Sequence, residues 1–349
     1  MKFNDLFADG RSERRPVLIV AEIGVNHNGR DDLAQELIDQ AVAAGADAVK
    51  FQAFVPEQMI TRHTPKAEYQ QNASPEDEDQ FTMLQRLQLT KDQLQTLKQY
   101  AEAKGILFLA SVFDGESVAM LRQLEMAAYK IPSGELTNLP LIQCAARLGK
   151  PLIISTGMAG LSEVEAAVRT AEAAGNRQLL LLHCVSSYPA PYHSLNLRAM
   201  VTLADAFQLP VGYSDHAPGT HAAVAAVALG AVMVEKHFTL ANDLPGPDHQ
   251  ASLVPEEFRR LVGAIRETQA ALGDGRKQAD QAELELRRLA RKSIVAAQPI
   301  SAGAIIRPEL LALKRPGTGI APQFYDTIIG RRTIRAIPAD ELIAWDDLK

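Results

Sequence analysis

Short apolar runs and longer amphipathic segments alternate eight times along most of this sequence, and this rhythm constrains the fold more than any other feature. The runs carry almost no charge before their last residues, which is typical of strands buried on both faces of a parallel sheet. They lie at residues 17–23, 48–52, 106–112, 128–131, 152–155, 179–184, 211–214 and 232–237.

Each run is followed by a segment with helical spacing of its apolar residues. Eight such pairs within one chain favour a (β/α)8 TIM barrel. A doubly wound open sheet is the alternative, but no GxGxxG motif follows the first run. The connection 53–89 is long and polar, and we predict a loop insertion on the catalytic face. The helical segments lie at about 30–44, 90–104, 115–125, 138–148, 161–174, 197–207, 219–229 and 255–272.

The composition changes near residue 273. A charged stretch that is nearly free of β-branched residues gives way to short strand-like runs, turns and prolines. The second part is small and β-rich, and a core of that size is marginal by itself. We therefore predict a barrel domain at 1–275, a linker at 276–289 and a small domain at 290–349.

The overall charge excludes some partners. There are 36 Lys and Arg residues against 42 Asp and Glu residues, for a net charge of −6, and no basic stripe stands out. We therefore expect no nucleic acid as partner. The longest apolar run is too short to cross a bilayer, the first residues lack an apolar signal core, and the two cysteines form no CxxC motif. These features predict a cytoplasmic protein with no membrane association.

Polar residues concentrate where the predicted strands end, which is where TIM barrels carry their functional side chains. Lys50 and Lys130 end two strands and can neutralise a phosphate and a carboxylate. The hydroxyl groups that can bind the same oxygens belong to Ser133, Ser155, Ser186 and Ser214. The alternative is that each lysine only pairs with a nearby carboxylate.

Two histidines end adjacent strands. His216 and His237 can therefore face one point above the barrel, and two imidazoles with water ligands suit a divalent metal ion. The alternative is a pair of rim histidines that hydrogen-bond to their neighbours. Glu22 can act as a general acid or base. Glu235 can form an internal pair with Lys236 instead, and Asp248 lies in a loop after the eighth strand.

Several fragments occur together in an order that resembles the sialic acid synthase family. They are AEIGVNHNG, DAVKFQ, YKIPSGELTN, ISTGMA, LHCVSSYPAPY, GYSDHAPG, EKHFTL and GPDHQASL. RKSIVA and KRPGTG resemble the C-terminal antifreeze-like domain of that family, called SAF, which has a β-clip fold. The likeness covers almost the whole chain.

The resemblance implies an enzyme that condenses phosphoenolpyruvate with an N-acylated hexosamine and water and releases phosphate. It implies a divalent metal, Mn²⁺ first and Mg²⁺ or Co²⁺ as alternatives, held by His216 and His237. Four residues are implied in catalysis: Glu22, Glu135, Lys50 and Lys130. The residues implied to bind phosphoenolpyruvate are Lys50, Lys130, Ser133, Ser155, Ser186 and Ser214.

The resemblance also implies residues that bind the sugar, namely Gln52, Ser111, Tyr188 and Asp248. It further implies a domain-swapped homodimer. In that dimer Arg315, in the KRPG motif of the small domain, reaches the partner's barrel and binds the N-acyl group of the sugar.

Two departures from the family pattern bear on the sugar. CVSSYP stands where sialic acid synthases often have CTN-x-YP, and GPDHQASL is more similar to the legionaminate-type branch. We expect an N-acetylneuraminate synthase that uses N-acetylmannosamine. The alternative is the same reaction on a 6-deoxy-2,4-diacetamido hexose, which gives legionaminate or pseudaminate. More distant alternatives are a sugar-phosphate aldolase with a Schiff-base lysine and a non-catalytic sugar-binding protein.

Overall fold

The structure, a computed structural model, describes residues 16–66 and 78–349. The chain divides into two compact units, Met1–Asp274 and Gly275–Lys349. The predicted linker therefore falls within the second unit. Within the described ranges, no helix has the length and apolar character needed to cross a membrane.

The first unit is a closed barrel of eight parallel strands within the part of the chain that the structure describes. The strands follow one another around the barrel, and the last pairs with the first, as the sequence predicts. This arrangement confirms the predicted TIM barrel. The strands are β1 (Leu18–Gly24), β2 (Ala48–Ala53), β3 (Leu107–Val112), β4 (Tyr129–Ile131), β5 (Leu152–Ser155), β6 (Leu179–His183), β7 (Val211–Asp215) and β8 (Met233–His237).

Helices surround the barrel at the positions that the helical spacing predicts. An apolar layer between helices and strands forms the main core. The helices of the first unit are α1 (Asp31–Ala44), α2 (Pro56–Met59), α3 (Gln80–Leu87), α4 (Lys91–Ala103), α5 (Gly115–Gln123), α6 (Leu139–Ala146), α7 (Leu161–Ala173), α8 (Ala199–Phe207), α9 (His221–Ala228) and α10 (Pro255–Leu272).

The connection between β2 and β3 differs from the prediction of a loop. It contains α2 and α3, and residues 67–77 of it lie outside the described residues. Helix α3 forms because Asp79 caps its first turn, accepting from the Thr82 N–H at 2.7 Å, and because Phe81, Met83, Leu84 and Leu87 bury one face. The acidic run before this helix conceals its short apolar pattern in the sequence.

Side chains alternate between the two faces of each strand, and this alternation places the polar residues. Leu18 and Val20 point into the barrel, where they pack with the other inward residues of the lower layer. Glu22 is the next residue in the same phase. In β8, the side chains of Glu235 and His237 point to the same face as Met233, because these residues follow it at intervals of two. The apolar residues therefore fill the bottom of the barrel, and the polar residues that follow them form its upper rim.

The second unit has its own aliphatic core, which includes Ile294, Ile300, Ile306 and Ile320. Strands β9 (Ser293–Ala296) and β10 (Leu311–Lys314) pair antiparallel, with Ala296 opposite Leu311. Helix α11 (Gln281–Ala290) occupies most of the predicted linker, and α12 (Tyr325–Ile328) follows β10.

Candidate active site

A cavity of about 720 Å³ opens at the carboxyl ends of the barrel strands. Most of the residues that the sequence suggests for the site line it. These are Glu22, Lys50, Gln52, Ser111, Lys130, Ser133, Ser155, Ser186, Tyr188, Ser214, His216, His237 and Asp248.

Two predicted site residues lie elsewhere. Glu135 ends a short 3-10 turn after β4 and is outside the cavity lining. Its carboxylate accepts a hydrogen bond from the Asn138 side chain at 2.7 Å, so it supports the start of α6. Arg315 belongs to the second unit, where it is exposed in the turn after β10.

Two lysines and two glutamates form the charged centre of the cavity, and all four are buried. Lys50 Nζ lies 2.7 Å from Glu22 Oε2 and 3.6 Å from Glu235 Oε2, and it donates to Ser111 Oγ at 2.8 Å. Lys130 Nζ lies 3.6 Å from Glu235 Oε1. Each lysine thus has a carboxylate partner, and Glu235 joins the two lysines.

The two glutamates have opposite pKa shifts. Burial, aided by the charge of Glu235, raises the pKa of Glu22 to about 7, although Lys50 opposes this. Burial also acts on Glu235, but Lys130 and Lys50 outweigh it and lower its pKa to about 2. Near neutral pH, Glu235 is therefore a permanent anion, whereas Glu22 can gain or lose a proton.

Glu235 has a central position that the sequence analysis did not assign. The suggested pair with Lys236 is wrong, because adjacent residues of a strand point to opposite faces. Lys236 binds Asp215 at 2.9 Å, on the outer side of the barrel wall. The sequence contains a signal for the inward position of Glu235, since it lies two residues before His237 and therefore shares its face of the strand. Cys184 is a further cavity residue that the sequence analysis did not select, and its Sγ lies 3.1 Å from Ser133 Oγ.

Hydroxyl groups from three consecutive strand ends surround the space next to Lys130; we call Ser133, Ser155, Ser186 and the Gly157 backbone the serine cradle. The Gly157 N–H donates to Ser133 Oγ at 3.0 Å. Ser155 Oγ is buried without a hydrogen-bond partner. A Cβ at Gly157 would fall on Ser186 Oγ and lie 2.8 Å from Ser133 Oγ. Glycine at this position therefore lets the Ser186 and Ser133 hydroxyl groups lie against the backbone, where any side chain would displace them.

The two rim histidines fit a metal ion by their chemistry. Their ring centroids are 5.6 Å apart. His216 Nδ1 donates to the Val185 carbonyl at 2.7 Å, which leaves the lone pair on Nε2, and His237 Nδ1 is buried without a hydrogen-bond partner. Burial lowers the pKa of His216 to about 4 and that of His237 well below its usual value, so both rings are neutral, as metal ligands must be.

In the part of the chain that the structure describes, the two histidines are not joined by a third side-chain ligand of the usual kind. Among the residues described, no three His, Cys, Asp or Glu side chains are grouped closely enough to hold an ion. Asp248 Oδ2 lies 3.8 Å from His237 Nδ1, and the Tyr188 ring centroid is 4.2 Å from that of His216. The two imidazoles therefore fit an ion whose other ligands come from substrate and water.

A buried network connects the loops after β1 and β8 and so positions Asp248. Asn26 Nδ2 donates to the Phe238 carbonyl and to Ser252 Oγ, each at 2.9 Å. His249 contacts Thr239 Oγ1 through Nδ1 at 2.6 Å and Asn28 through Nε2 at 3.2 Å. The NHNG and PDHQAS segments are therefore mainly structural, and they hold one wall of the cavity.

Family comparison identifies the chain. Residues 37–277 match the NeuB family, and residues 291–349 match the SAF domain. The chain belongs to the NeuB family. Membership confirms the predicted family resemblance and the prediction of a phosphoenolpyruvate-dependent transferase, and it gives no support to the alternative of a non-catalytic binding protein.

Relatives of the NeuB family match this chain over nearly its whole length. The N,N'-diacetyllegionaminic acid synthase of Legionella pneumophila is 46% identical and covers 97% of this chain and 96% of its own. The N,N'-diacetyllegionaminic acid synthase of Campylobacter jejuni is 45% identical, and the match covers 94% of this chain and 99% of that protein. The human N-acetylneuraminate-9-phosphate synthase is 33% identical over 95% and 92%. A solved structure, the putative spore coat polysaccharide biosynthesis protein E of Chromobacterium violaceum, has a TM-score of 0.77 at 26% identity, covering 95% and 99%.

These relatives establish a nonulosonic acid synthase as the general function. Sequence identity is higher to the two legionaminic acid synthases than to the human N-acetylneuraminate-9-phosphate synthase.

Proposed function

We propose that this protein is a legionaminate-type synthase, which condenses phosphoenolpyruvate with a 6-deoxy-2,4-diacetamido hexose and releases phosphate. The observation that carries the proposal is the identity of 46% and 45% to two N,N'-diacetyllegionaminic acid synthases, against 33% to the human N-acetylneuraminate-9-phosphate synthase. All three likenesses extend over nearly the whole chain, so the difference of more than ten percentage points involves far more positions than one motif.

The charged centre supports binding of phosphoenolpyruvate. With Glu22 protonated, Glu235 ionised and both lysines charged, the four buried groups sum to one positive charge. Burial lowers the pKa of Lys130, and a bound anion favours the charged form of this lysine. A buried uncompensated cation is costly, and an anionic ligand removes that cost. The serine cradle next to Lys130 offers hydroxyl donors for phosphate oxygens, among them Ser155 Oγ, which has no hydrogen-bond partner. We assign the phosphate to the serine cradle and the carboxylate to the side of Lys50.

Proton transfer is assigned to Glu22. C3 of phosphoenolpyruvate forms a bond to the sugar aldehyde carbon, and the aldehyde oxygen takes the proton of Glu22. Water then adds at C2 and gives its proton to the carboxylate so formed. The C–O bond to phosphate then breaks, the C2 hydroxyl group gives its proton to the departing phosphate, and C2 becomes a carbonyl. A pKa of about 7 suits both transfers, since a group near neutrality gives and accepts a proton with little penalty.

His216 and His237 are the residues that would hold the divalent ion. When bound, the ion supplies Lewis-acid polarisation of the sugar aldehyde. Tyr188 packs against both histidine rings, with centroids 4.2 and 5.8 Å away, and restricts their orientation. Gln52 donates to Glu22 Oε1 at 3.3 Å and keeps that carboxyl group directed into the cavity.

The test is phosphate release from phosphoenolpyruvate in the presence of Mn²⁺ across a panel of N-acylated hexosamines, with mass spectrometry of the products. We expect the largest kcat/KM with the 6-deoxy-2,4-diacetamido hexose of the legionaminate series. A larger kcat/KM with N-acetylmannosamine would instead indicate an N-acetylneuraminate synthase. Borohydride trapping of substrate on a lysine would instead indicate an aldolase.

A further inference from the structure

The catalytic cavity has one apolar side, which the reaction chemistry does not use. Its members are Val25, Met59, Leu84, Leu87 and Phe113, and we call them the apolar wall. They belong to a hydrophobic cluster that is separate from the barrel core. The rest of the cavity is mostly charged or hydroxylated, so this wall is a distinct surface within it.

The apolar wall lies beyond the reacting groups along the strand direction. Val25 lies three residues after Glu22, in the turn that follows β1, and Phe113 lies two residues after Ser111, just after β3 ends. Met59 ends α2, in the connection after β2. Because all eight strands run in parallel, residues past their carboxyl ends lie nearer to the cavity mouth than Glu22 and Lys50 do.

Packing within the connection explains only part of this wall. Leu84 and Leu87 are 7% and 1% exposed, as expected for the small core beneath α3. Met59 and Phe113 remain half-buried although both line the cavity. Apolar surface left towards a polar cavity is unfavourable unless a ligand covers it.

We propose that the apolar wall binds the C6 methyl group of a 6-deoxy sugar and thereby selects it over a sugar with a C6 hydroxyl. This inference rests on the proposed function. The aldehyde end of the substrate must lie deep in the cavity, beside Glu22 and the histidines. The far end of the hexose therefore extends towards the mouth, where the wall lies. A methyl group is stabilised there, whereas a hydroxyl group would lose its water partners without gaining a new one.

The test compares two substrates that differ only at C6: the 6-deoxy-2,4-diacetamido hexose and the same hexose with a C6 hydroxyl. For the wild type we expect kcat/KM to favour the 6-deoxy sugar by about 10- to 100-fold, which is the usual discrimination against an added hydroxyl by an apolar pocket. Met59→Gln and Phe113→Tyr each add a polar group with little change of volume. Each should reduce the preference to within about 3-fold, with the KM for phosphoenolpyruvate unchanged.

Met120→Gln is the matched control. Met120 is half-buried in α5 and packs against the barrel core, outside the cavity lining. This variant should keep the wild-type preference, and thermal unfolding of all three variants checks that each is folded.

The outcomes separate this inference from the proposed function. Efficient product formation from both sugars with equal kcat/KM overturns the inference and leaves the function intact. No product from either sugar, with turnover of another hexosamine, refutes the function and the inference together. A preference that survives both wall variants places methyl recognition elsewhere. A second pair of sugars, which differ only in the C4 acyl group, completes the test. If the wall variants change the kcat/KM preference for this pair alone, the wall binds the acyl methyl group instead.

Discussion

At the scale of single residues, the site depends on two glutamates whose surroundings give them different protonation states. Glu22 and Glu235 are both buried beside Lys50, but Glu235 also has Lys130 and a hydrogen bond of 3.0 Å from Ser214 Oγ. These contacts hold the pKa of Glu235 at about 2, and that negative charge helps burial to raise the pKa of Glu22 to about 7. One carboxylate therefore serves as a fixed charge and the other as a proton carrier.

Replacing the proton carrier should reduce the rate of chemistry rather than substrate binding. Glu22→Gln keeps the shape and the polar contact to Lys50 but cannot transfer a proton. We expect kcat to fall by about 10²- to 10⁴-fold, as is usual for loss of a general acid or base. The KM for phosphoenolpyruvate should change little, and steady-state phosphate release measures both. A wild-type kcat in this variant would show that another group transfers the proton.

At the scale of elements, alternation along the strands determines what the sequence can predict. The apolar runs predict the eight strands and their polar ends, because period-two alternation fixes which residues face the interior. The same alternation separates Glu235 from Lys236, a consequence that becomes clear only once the inward phase of β8 is known. Pairing between strands distant in sequence, such as Lys50 with Glu235, depends on barrel closure. No local pattern contains that information.

The connection after β2 contains a helix that the sequence pattern does not predict. Helix α3 has only 8 residues, so its apolar spacing is too short to stand out from its acidic surroundings. It is stabilised chiefly by burial against Phe54 and Val25, which are distant in the chain. The apolar wall is therefore not predictable from the sequence, whereas the strand ends predict most of the polar residues that line the cavity.

The serine cradle should be sensitive to a single methyl group. In Gly157→Ala the new Cβ would overlap Ser186 Oγ and approach Cys184 Sγ to 3.0 Å. Because the cradle would close, we expect the KM for phosphoenolpyruvate to rise by about 10-fold or more, the equivalent of one lost charge-assisted hydrogen bond. Gly160→Ala is the control, since its nearest contact would be Glu163 Oε2 at 3.9 Å. Equal KM values in the two variants would place the phosphate outside the cradle.

Neighbouring strands β7 and β8 should together form the metal site. We expect EDTA to abolish turnover and Mn²⁺ to restore it. His216→Ala and His237→Ala should each weaken Mn²⁺ binding, measured directly by electron paramagnetic resonance, because each removes one of two imidazole ligands. Circular dichroism should show an unchanged fold. Full activity in a rigorously metal-free preparation would contradict the Lewis-acid role.

At the scale of the whole molecule, the buried His27 should make stability depend on pH. His27 Nδ1 accepts a hydrogen bond from the Gly29 N–H at 3.0 Å, and protonation of Nδ1 would break this bond. Burial lowers the pKa of His27 to about 4. The unfolded chain, with a pKa near 6.5, binds more protons as the pH falls, so stability is lost from about pH 6.5 towards pH 4.

Urea unfolding of the wild type and of His27→Asn can measure this dependence. The asparagine oxygen replaces the acceptor without titrating. The loss in unfolding free energy between pH 7 and pH 5 should be smaller in the variant by about 2 kcal/mol. His193→Asn changes an exposed histidine and should leave the pH dependence as in the wild type. An unchanged slope in His27→Asn would assign the acid sensitivity to other groups.

Arg315 provides the prediction that concerns the assembled protein. Its turn is fixed by Ser293 Oγ, which donates to the Pro316 carbonyl at 2.7 Å and accepts from the Gly319 N–H at 2.9 Å. The arginine side chain is exposed beyond this anchor, and its planar fork suits an amide carbonyl. We expect a homodimer in which each Arg315 completes the partner's barrel site. Arg315→Ala should then impair use of the amino sugar, whereas Lys314→Ala removes an adjacent surface charge paired with Asp340 and should not.

Mixing two inactive variants tests whether the arginine acts across the dimer. Arg315→Ala and Lys130→Ala each disable one component of a site. If Arg315 serves the partner, a mixed dimer has one site with both defects and one site with none. Random 1:1 reassortment makes half of the dimers mixed, so about a quarter of wild-type activity should return. If Arg315 serves its own barrel, every site keeps one defect, and no activity returns even when native mass spectrometry shows that subunits have exchanged.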